Sequence, residues 1–294
     1  MAHIKKAHKG VKRSRALLAK SGLRPRKSLG QHFLDDPRAI EEIISHGGLE
    51  ATDVVVEIGP GLGALTIPIL SRIHHLVAIE KDPLLIKLLE ERLSPQDREK
   101  ITLLCGDVLE LDFRQISDTF GEKVRIFGNL PYNISAPFLE HLIVNRLSVR
   151  NAILMFQYEV AQRLTASPNS REYGALSIAL QYYARIVPLI KVKKESFYPK
   201  PKVDSMVLEF DLERAHPLRA ENEEHFLRIV RAAFRFRRKI LLNSLERAMA
   251  PVTRDIIARA LEKSSIDPHR RAETLSIDEY IRLSSSLSQD AASP

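Results

Sequence analysis

The chain has a single cysteine, Cys105, and no apolar run long enough to span a bilayer. One thiol excludes an intrachain disulfide framework and suits a reducing compartment. Cys105 closes the apolar run Ile101-Thr102-Leu103-Leu104-Cys105 and so reads as a core thiol rather than a reactive one. With no spanning segment and no apolar leader core, the chain reads as cytoplasmic and without a membrane partner. Internal repeats and low-complexity tracts are also missing. Acid is absent from residues 1–27, which carry ten lysines and arginines and more than account for the net charge of +8. An acid-free basic arm reads as a flexible tail that contacts RNA phosphates. The alternatives are a solubilising or targeting tail. A transit peptide shares the basic, acid-poor character, but serine is sparse here.

What remains is ordinary for a folded protein: 44% hydrophobic and 28% charged residues over 294 positions, enough for one or two domains with a sizeable core. Asp36-Pro37 reads as an N-cap and first helical position, opening a helix to about Ser45 that Gly47-Gly48 ends. Strands are expected at Asp53–Ile58, Leu76–Glu80, Ile101–Cys105, Val124–Phe127 and Ala152–Phe156. Helices are expected at Leu62–Ser71, Pro83–Leu93 and Ala136–Arg146. Continuous apolar strands alternating with helices predict an α/β fold, a mostly parallel Rossmann-like sheet covered on both faces. Arg185–Val192 and Val203–Leu212 read as further strands, an antiparallel hairpin at the sheet edge. Beyond Pro217 only helical patterns remain, near 222–236, 238–249, 252–263 and 276–286. The expected organisation is therefore a basic tail over 1–27, a catalytic domain over 28–215 and a small all-α domain over 216–294.

The chemistry is expected at the strand ends. In Glu57-Ile58-Gly59-Pro60-Gly61-Leu62-Gly63 the glycines permit close backbone approach to a ligand, and the following helix favours negative charge. The loop satisfies a dinucleotide fingerprint, which does not separate a nicotinamide cofactor from S-adenosylmethionine (SAM). A tight turn without ligand is the bland reading. Glu80 ends the second strand where a ribose-binding acid is expected, and Asp107 follows the third, where it can accept from an adenine amine; a surface Glu and a turn Asp are their alternatives. After the fourth strand comes Asn129-Leu130-Pro131-Tyr132. An amide and a backbone carbonyl there can accept both N–H bonds of an exocyclic amine, Pro131 turns the chain, and Tyr132 can stack on the base. The same four residues also suit a plain strand-to-helix turn. A dehydrogenase has no use for an amine clamp; a methyltransferase acting on an amino group does.

With these motifs in this order, the sequence strongly resembles the KsgA/RsmA family of ribosomal RNA adenine N6-dimethyltransferases from about Arg26 to Ser286. Gly30-Gln31-His32-Phe33-Leu34 is similar to the family's N-terminal cofactor motif, Val56–Gly61 to its glycine loop, and Asn129–Ser135 to its catalytic motif. Phe197-Tyr198-Pro199-Lys200-Pro201-Lys202-Val203-Asp204-Ser205 is similar to its aromatic-proline motif. Ala233–Lys239 with Leu242–Leu245 is similar to its basic helix pair. The resemblance implies SAM as cofactor, touched by His32, Leu34, Gly59, Glu80, Asp107 and Asn129, with Glu57 and Gly61 from the loop, and no metal. His32 stands where many members have Asn, although His also occurs. A neutral imidazole offers one donor and one acceptor, a charged one two donors, so this contact is expected to weaken at low pH.

The resemblance also implies catalysis by Asn129, Leu130, Tyr132 and Phe197, with Tyr132 and Phe197 sandwiching an adenine unstacked from its RNA; a core Phe before a proline turn is the alternative for Phe197. Arg231, Arg235, Arg237, Arg238 and Lys239, with Lys200 and Lys202, are expected to grip phosphates. Arg228, Arg231, Arg235 and Arg238 would share one helix face if that helix continues. Each of these groups can equally be a solvated surface. The implied activity is dimethylation of two adjacent adenosines in a hairpin near the 3′ end of small-subunit (16S) ribosomal RNA, on the immature subunit, by a monomer. The rivals are an Erm-like enzyme acting on large-subunit RNA, a ribosome-assembly factor that mainly binds, and an NAD-dependent dehydrogenase. Leu130 and Arg237-Arg238-Lys239 argue against the first.

Overall fold

A computed structural model of the chain describes residues 11–131 and 134–291. It divides into two compact units. One runs to Ala161 and resumes over Ile186–Glu213; the other takes Gln162–Arg185 and the chain from Arg214. The chain passes into the second unit after Ala161, returns at Ile186 and leaves again after Glu213, and Gln162–Arg185 shows no sequence signal that would separate it from the sheet. In chain order the elements are α1 (Val11–Lys20), β1 (Phe33–Leu34), α2 (Pro37–Gly47), β2 (Val54–Ile58), α3 (Thr66–Leu70), β3 (His75–Glu80), α4 (Pro83–Arg92), α5 (Pro95–Glu99) and β4 (Ile101–Cys105). Then come α6 (Phe113–Phe120), β5 (Val124–Asn129), α7 (Ser135–Val144), β6 (Val149–Gln157), α8 (Tyr158–Leu164) and α9 (Ala175–Tyr183). The chain continues with β7 (Arg185–Val192), β8 (Phe197–Tyr198), β9 (Ser205–Asp211), α10 (Glu223–Phe234), α11 (Leu241–Ala248), α12 (Arg254–Lys263) and α13 (Ile277–Ala291).

Seven strands form one sheet in the order β4-β3-β2-β5-β6-β9-β7. Strands β4 through β6 are parallel, and β9 runs antiparallel to β6. This is the mostly parallel Rossmann-like sheet expected from the sequence. Every residue of β2 is buried, Glu57 included, as is β5 up to Gly128. Such strands need helices on both faces, which is why their sequences are continuously apolar. Helix starts follow local chemistry: Asp36 accepts from the Arg38 amide at 3.0 Å and Asp82 from the Leu84 amide at 3.1 Å, each followed by a first-turn proline. Gly48, at φ 54°, ends α2.

One buried ion pair fixes the base of β5. The Arg125 guanidinium donates to Asp53 Oδ2 at 2.6 Å, to Asn151 Oδ1 at 2.9 Å, and to the carbonyls of Gly48 at 2.7 Å and Gly47. Both charged side chains are nearly inaccessible, at 8% and 2% exposed. Neither charge is left without partners, the condition under which a buried pair is tolerated.

Three expectations are corrected. The helix after the glycine loop begins at Thr66, not Leu62, because Gly61 and Gly63 adopt left-handed φ of 54° and 77°, which no α-helical turn contains. Cys105 is exposed, since β4 is the sheet's edge strand. The basic arm, expected to be a flexible tail, is helical over Val11–Lys20, with Leu18 only 3% exposed in a cluster with Phe33, Leu62 and Leu85. Residues 1–10 of the arm lie outside the described residues.

Candidate active site

The carboxyl ends of β4, β3, β2 and β5 lie side by side, so parallel pairing alone brings Asp107, Glu80, the glycine loop and Asn129 to one edge. A cavity of about 200 Å3 opens there. His32, Leu34, Glu57, Gly59, Gly61, Glu80, Asp107, Asn129 and Leu130, all singled out from the sequence, line it. Among the described residues no His/Cys/Asp/Glu group is arranged to hold a metal.

Each wall has a physical origin. Gly59, at φ 64°, donates to the Ile79 carbonyl at 2.9 Å, which seats the loop over the neighbouring strand. A Cβ on Gly61 would meet the Phe33 ring at 3.1 Å, so the loop lies flat against the N-terminal motif only because that Cβ is missing. Glu80 accepts from the Asp82 amide at 3.0 Å and the Gly61 amide at 3.3 Å. Burial raises the Glu80 pKa, with those amides partly opposing the shift. Asp107 is paired with Lys81 at 2.8 Å and held below the usual carboxylate range by that bond. Lys81 gave no motif signal, yet it sits beside the expected amine-accepting acid. Arg26 and Gln31 tie the N-terminal motif to Asp82, at 3.3 and 3.0 Å.

The elbow is stitched to two distant motifs through His32. The Asn129 side-chain Nδ2 donates to the His32 carbonyl at 2.9 Å, leaving Oδ1 as the acceptor end of the amide. The His32 ring Nδ1 donates to the Pro199 carbonyl at 2.6 Å, which joins the N-terminal motif to the aromatic-proline motif. Leu130 is buried at 1% exposed and braces the turn. Tyr132 lies outside the described residues. Phe197 is a correction: it is 2% exposed, pairs with Leu34 across β1 and β8, and belongs to the sheet's core cluster rather than the cavity wall. A ring so placed backs Leu34 and cannot stack on a base.

Glu57 is the anomaly of the site. It is 2% exposed, and its Oε2 has no hydrogen-bond partner among the described residues. Burial pushes its pKa up to about 8, opposed by Thr66 and reinforced by Glu80. An unfolded chain would release this proton near the ordinary carboxyl value of 4.5. Between those two values the folded state holds the extra proton, so stability falls as pH rises through the window. Glu57→Gln should remove that slope. Relative to the parent it gains on the order of 3 kcal/mol between pH 4.5 and 7, read from denaturant midpoints of the cofactor-free proteins.

The basic residues of the second unit are exposed, but not as one helical face. Helix α10 ends at Phe234, so Arg228 and Arg231 lie on it while Arg235, Arg237, Arg238 and Lys239 follow in a turn. The buried Ser244 hydroxyl donates to the carbonyls of Ala232 and Ala233, at 3.1 and 2.8 Å, satisfying groups that another helical turn would otherwise use. Arg237 is partly committed, donating to the Arg171 and Tyr173 carbonyls at 2.8 and 3.3 Å. In the first unit Lys200 pairs with Glu195 at 2.6 Å, while Lys202 is exposed.

The family model described as ribosomal RNA adenine dimethylase matches residues 22–289. The chain is 44% identical over 271 residues to the ribosomal RNA small subunit methyltransferase A of Desulforapulum autotrophicum, covering 92% of this chain and 95% of that protein. Its fold is similar to that of a dimethyladenosine transferase from Plasmodium falciparum, with a TM-score of 0.73 and 24% identity over 88% of this chain and 98% of the other. The 23S rRNA methyltransferase ErmE shares the fold at a TM-score of 0.68, with 24% identity over 87% of this chain and 100% of the other. At such identities the structures speak for the fold, and the family match speaks for kinship. With the glycine loop, the strand-end acids and the Asn129 elbow on one sheet edge, the chain belongs to the ribosomal RNA adenine dimethylase family.

Proposed function

We propose that this protein dimethylates N6 of two adjacent adenosines in a hairpin near the 3′ end of small-subunit (16S) ribosomal RNA. On this reading it uses SAM and acts as a cytoplasmic monomer on the immature subunit. The observation that carries the reading is the Asn129 amide: its Nδ2 is spent on the His32 carbonyl, so its oxygen is kept for an amine donor at the cavity that also holds the glycine loop. The cavity suits SAM on three grounds. Two left-handed glycines permit close approach, Glu80 ends β3 at ribose-binding position, and the buried Glu57 Oε2, without a partner among the described residues, is a polar atom that a bound ligand would satisfy. His32, Leu34, Gly59, Gly61 and Asp107 complete the set.

When bound, SAM supplies a methyl group already activated on a sulfonium. What the chain must supply is alignment and a dry site, a contribution of about 7–11 kcal/mol for well-positioned reactants. Asn129 Oδ1 accepts from the amine and turns its lone pair away from the base. A neutral amide does this without the strong hold that a carboxylate would exert on a cationic product. No side-chain base is required, because the methylated amine is strongly acidic. Tyr132 is the stacking surface for the flipped base. Arg231, Arg235, Arg238, Lys239 and Lys202 supply phosphate contacts, and binding should therefore weaken steeply with salt.

The test offers methyl-labelled SAM to unmodified small subunits and to large-subunit RNA in parallel. Label recovered as N6,N6-dimethyladenosine from small subunits is the expected result. Label only in large-subunit RNA, or in neither, would overturn the assignment.

A further inference from the structure

Helix α1 lies wholly before the matched family region, which begins at residue 22, yet it is firmly seated. The Ser14 amide donates to Asp35 Oδ2 at 3.1 Å in a buried bond. Leu18 inserts into a cluster with Phe33, Leu62 and Leu85, against which Leu23 and Tyr198 also lie. Phe33, Leu62 and Leu85 line the catalytic cavity on their other side. Between α1 and β8 this leaves a second cavity, of about 380 Å3, lined among others by Leu18, Leu23, Pro25 and Tyr198, with Arg15 and Arg24. One apolar cluster thus separates the two cavities, with Leu18, Leu23 and Tyr198 lining this one and Phe33, Leu62 and Leu85 lining the catalytic one.

The lining has a definite chemistry. It pairs an aromatic ring and aliphatic surface with two exposed guanidinium groups, and no acidic side chain lines it. Neither Arg15 nor Arg24 has a hydrogen-bond or ion-pair partner among the described residues, unlike Arg26, which is held by Asp82. A hydrophobic ligand would leave both charges unused, and an acidic peptide would leave the flat Tyr198 surface unused. A nucleotide uses both, with its base on the ring and its phosphates on planar bidentate donors.

We propose that the cavity between α1 and Tyr198 is a subsite for an RNA nucleotide that flanks the methylated pair, so that the N-terminal helix reads substrate next to the reaction centre. The inference rests on the RNA-methylating function proposed above. On that basis a single strand entering the catalytic cavity is held on both sides of the apolar cluster, and the base to be methylated is kept unstacked while its neighbour is bound.

The test measures affinity for an unmodified small-subunit hairpin RNA as a function of salt, using the full chain. Arg15→Gln combined with Arg24→Gln should weaken binding about tenfold and flatten the log–log salt slope by about 1.4, the value for two contacts to a single strand. Tyr198→Leu should weaken it similarly, and Tyr198→Phe should restore it. Lys20→Gln, on the same helix but outside the cavity, should change it less than about threefold. Cofactor affinity, measured in parallel, should not move for the arginine variants. Parental affinity in the double variant, or an equal loss from Lys20→Gln, would overturn the subsite while leaving the methylation assignment intact. A parent chain that neither binds nor methylates the RNA would overturn both.

Discussion

Asn129→Ala should lower single-turnover methyl transfer by on the order of 10²–10³-fold, the usual cost of deleting one preorganised polar contact at a reacting centre. Two losses combine. The amine loses its acceptor, and the His32 carbonyl loses the amide that pins the N-terminal motif to the elbow. Melting temperature should barely change, because the side chain is only partly buried and contributes nothing to the apolar core. Asn129→Asp separates the two roles. It keeps an acceptor and sacrifices the Nδ2 donor, and its charge would bind a cationic product more tightly. Turnover should therefore fall more than the first-turnover rate does, a divergence that stopped-flow quench against steady-state rates would detect. Equal first-turnover rates for Asn129→Ala and parent would remove the amide from the mechanism.

Arg125→Leu is expected to cost 3–5 kcal/mol of stability, the range for breaking one side of a buried pair. Asp53 stays 2% exposed with its charge, and among the described residues Arg150 at 3.5 Å is the ionic partner left to it. The carbonyls of Gly47 and Gly48 lose their guanidinium donor as well. Adding Asp53→Asn should recover part of the loss by removing the stranded charge, and denaturant midpoints of the single and double variants measure this. The effect reaches function because Arg125 anchors the strand whose last residue is Asn129. A loosened β5 should raise the requirement for RNA and cofactor before it touches chemistry.

The site was legible wherever a residue's role follows from its place on a strand. Asp107, Glu80, the glycine loop and Asn129 sit at strand ends, and a parallel sheet in the observed order makes strand ends neighbours. Alternating apolar strands and helices announce such a sheet without any partner being known. Less was legible where a distant segment decides. Phe197 is buried because β8 pairs with β1, a two-residue ladder that no local pattern encodes. The arginine face dissolves because Ser244, from the next helix, caps α10. Cys105 is exposed because β4 lies at the edge, a fact about sheet order rather than about its own apolar run. Helix α1 was hidden by charge: its basic residues suggest a solvated arm, while Leu18 and the Ser14 amide anchor it.

The amine clamp can be isolated by a double-mutant cycle across the protein–RNA contact. Parent and Asn129→Ala are each titrated with hairpin RNA carrying either the target adenosines or purine ribosides that lack the exocyclic amine. If Asn129 holds the amine, the alanine change weakens adenosine RNA by about five- to tenfold, one hydrogen bond's worth, and leaves the amine-free RNA unaffected. Equal weakening of both RNAs would mean that Asn129 does not touch the amine, and the site would have to be rebuilt around another residue.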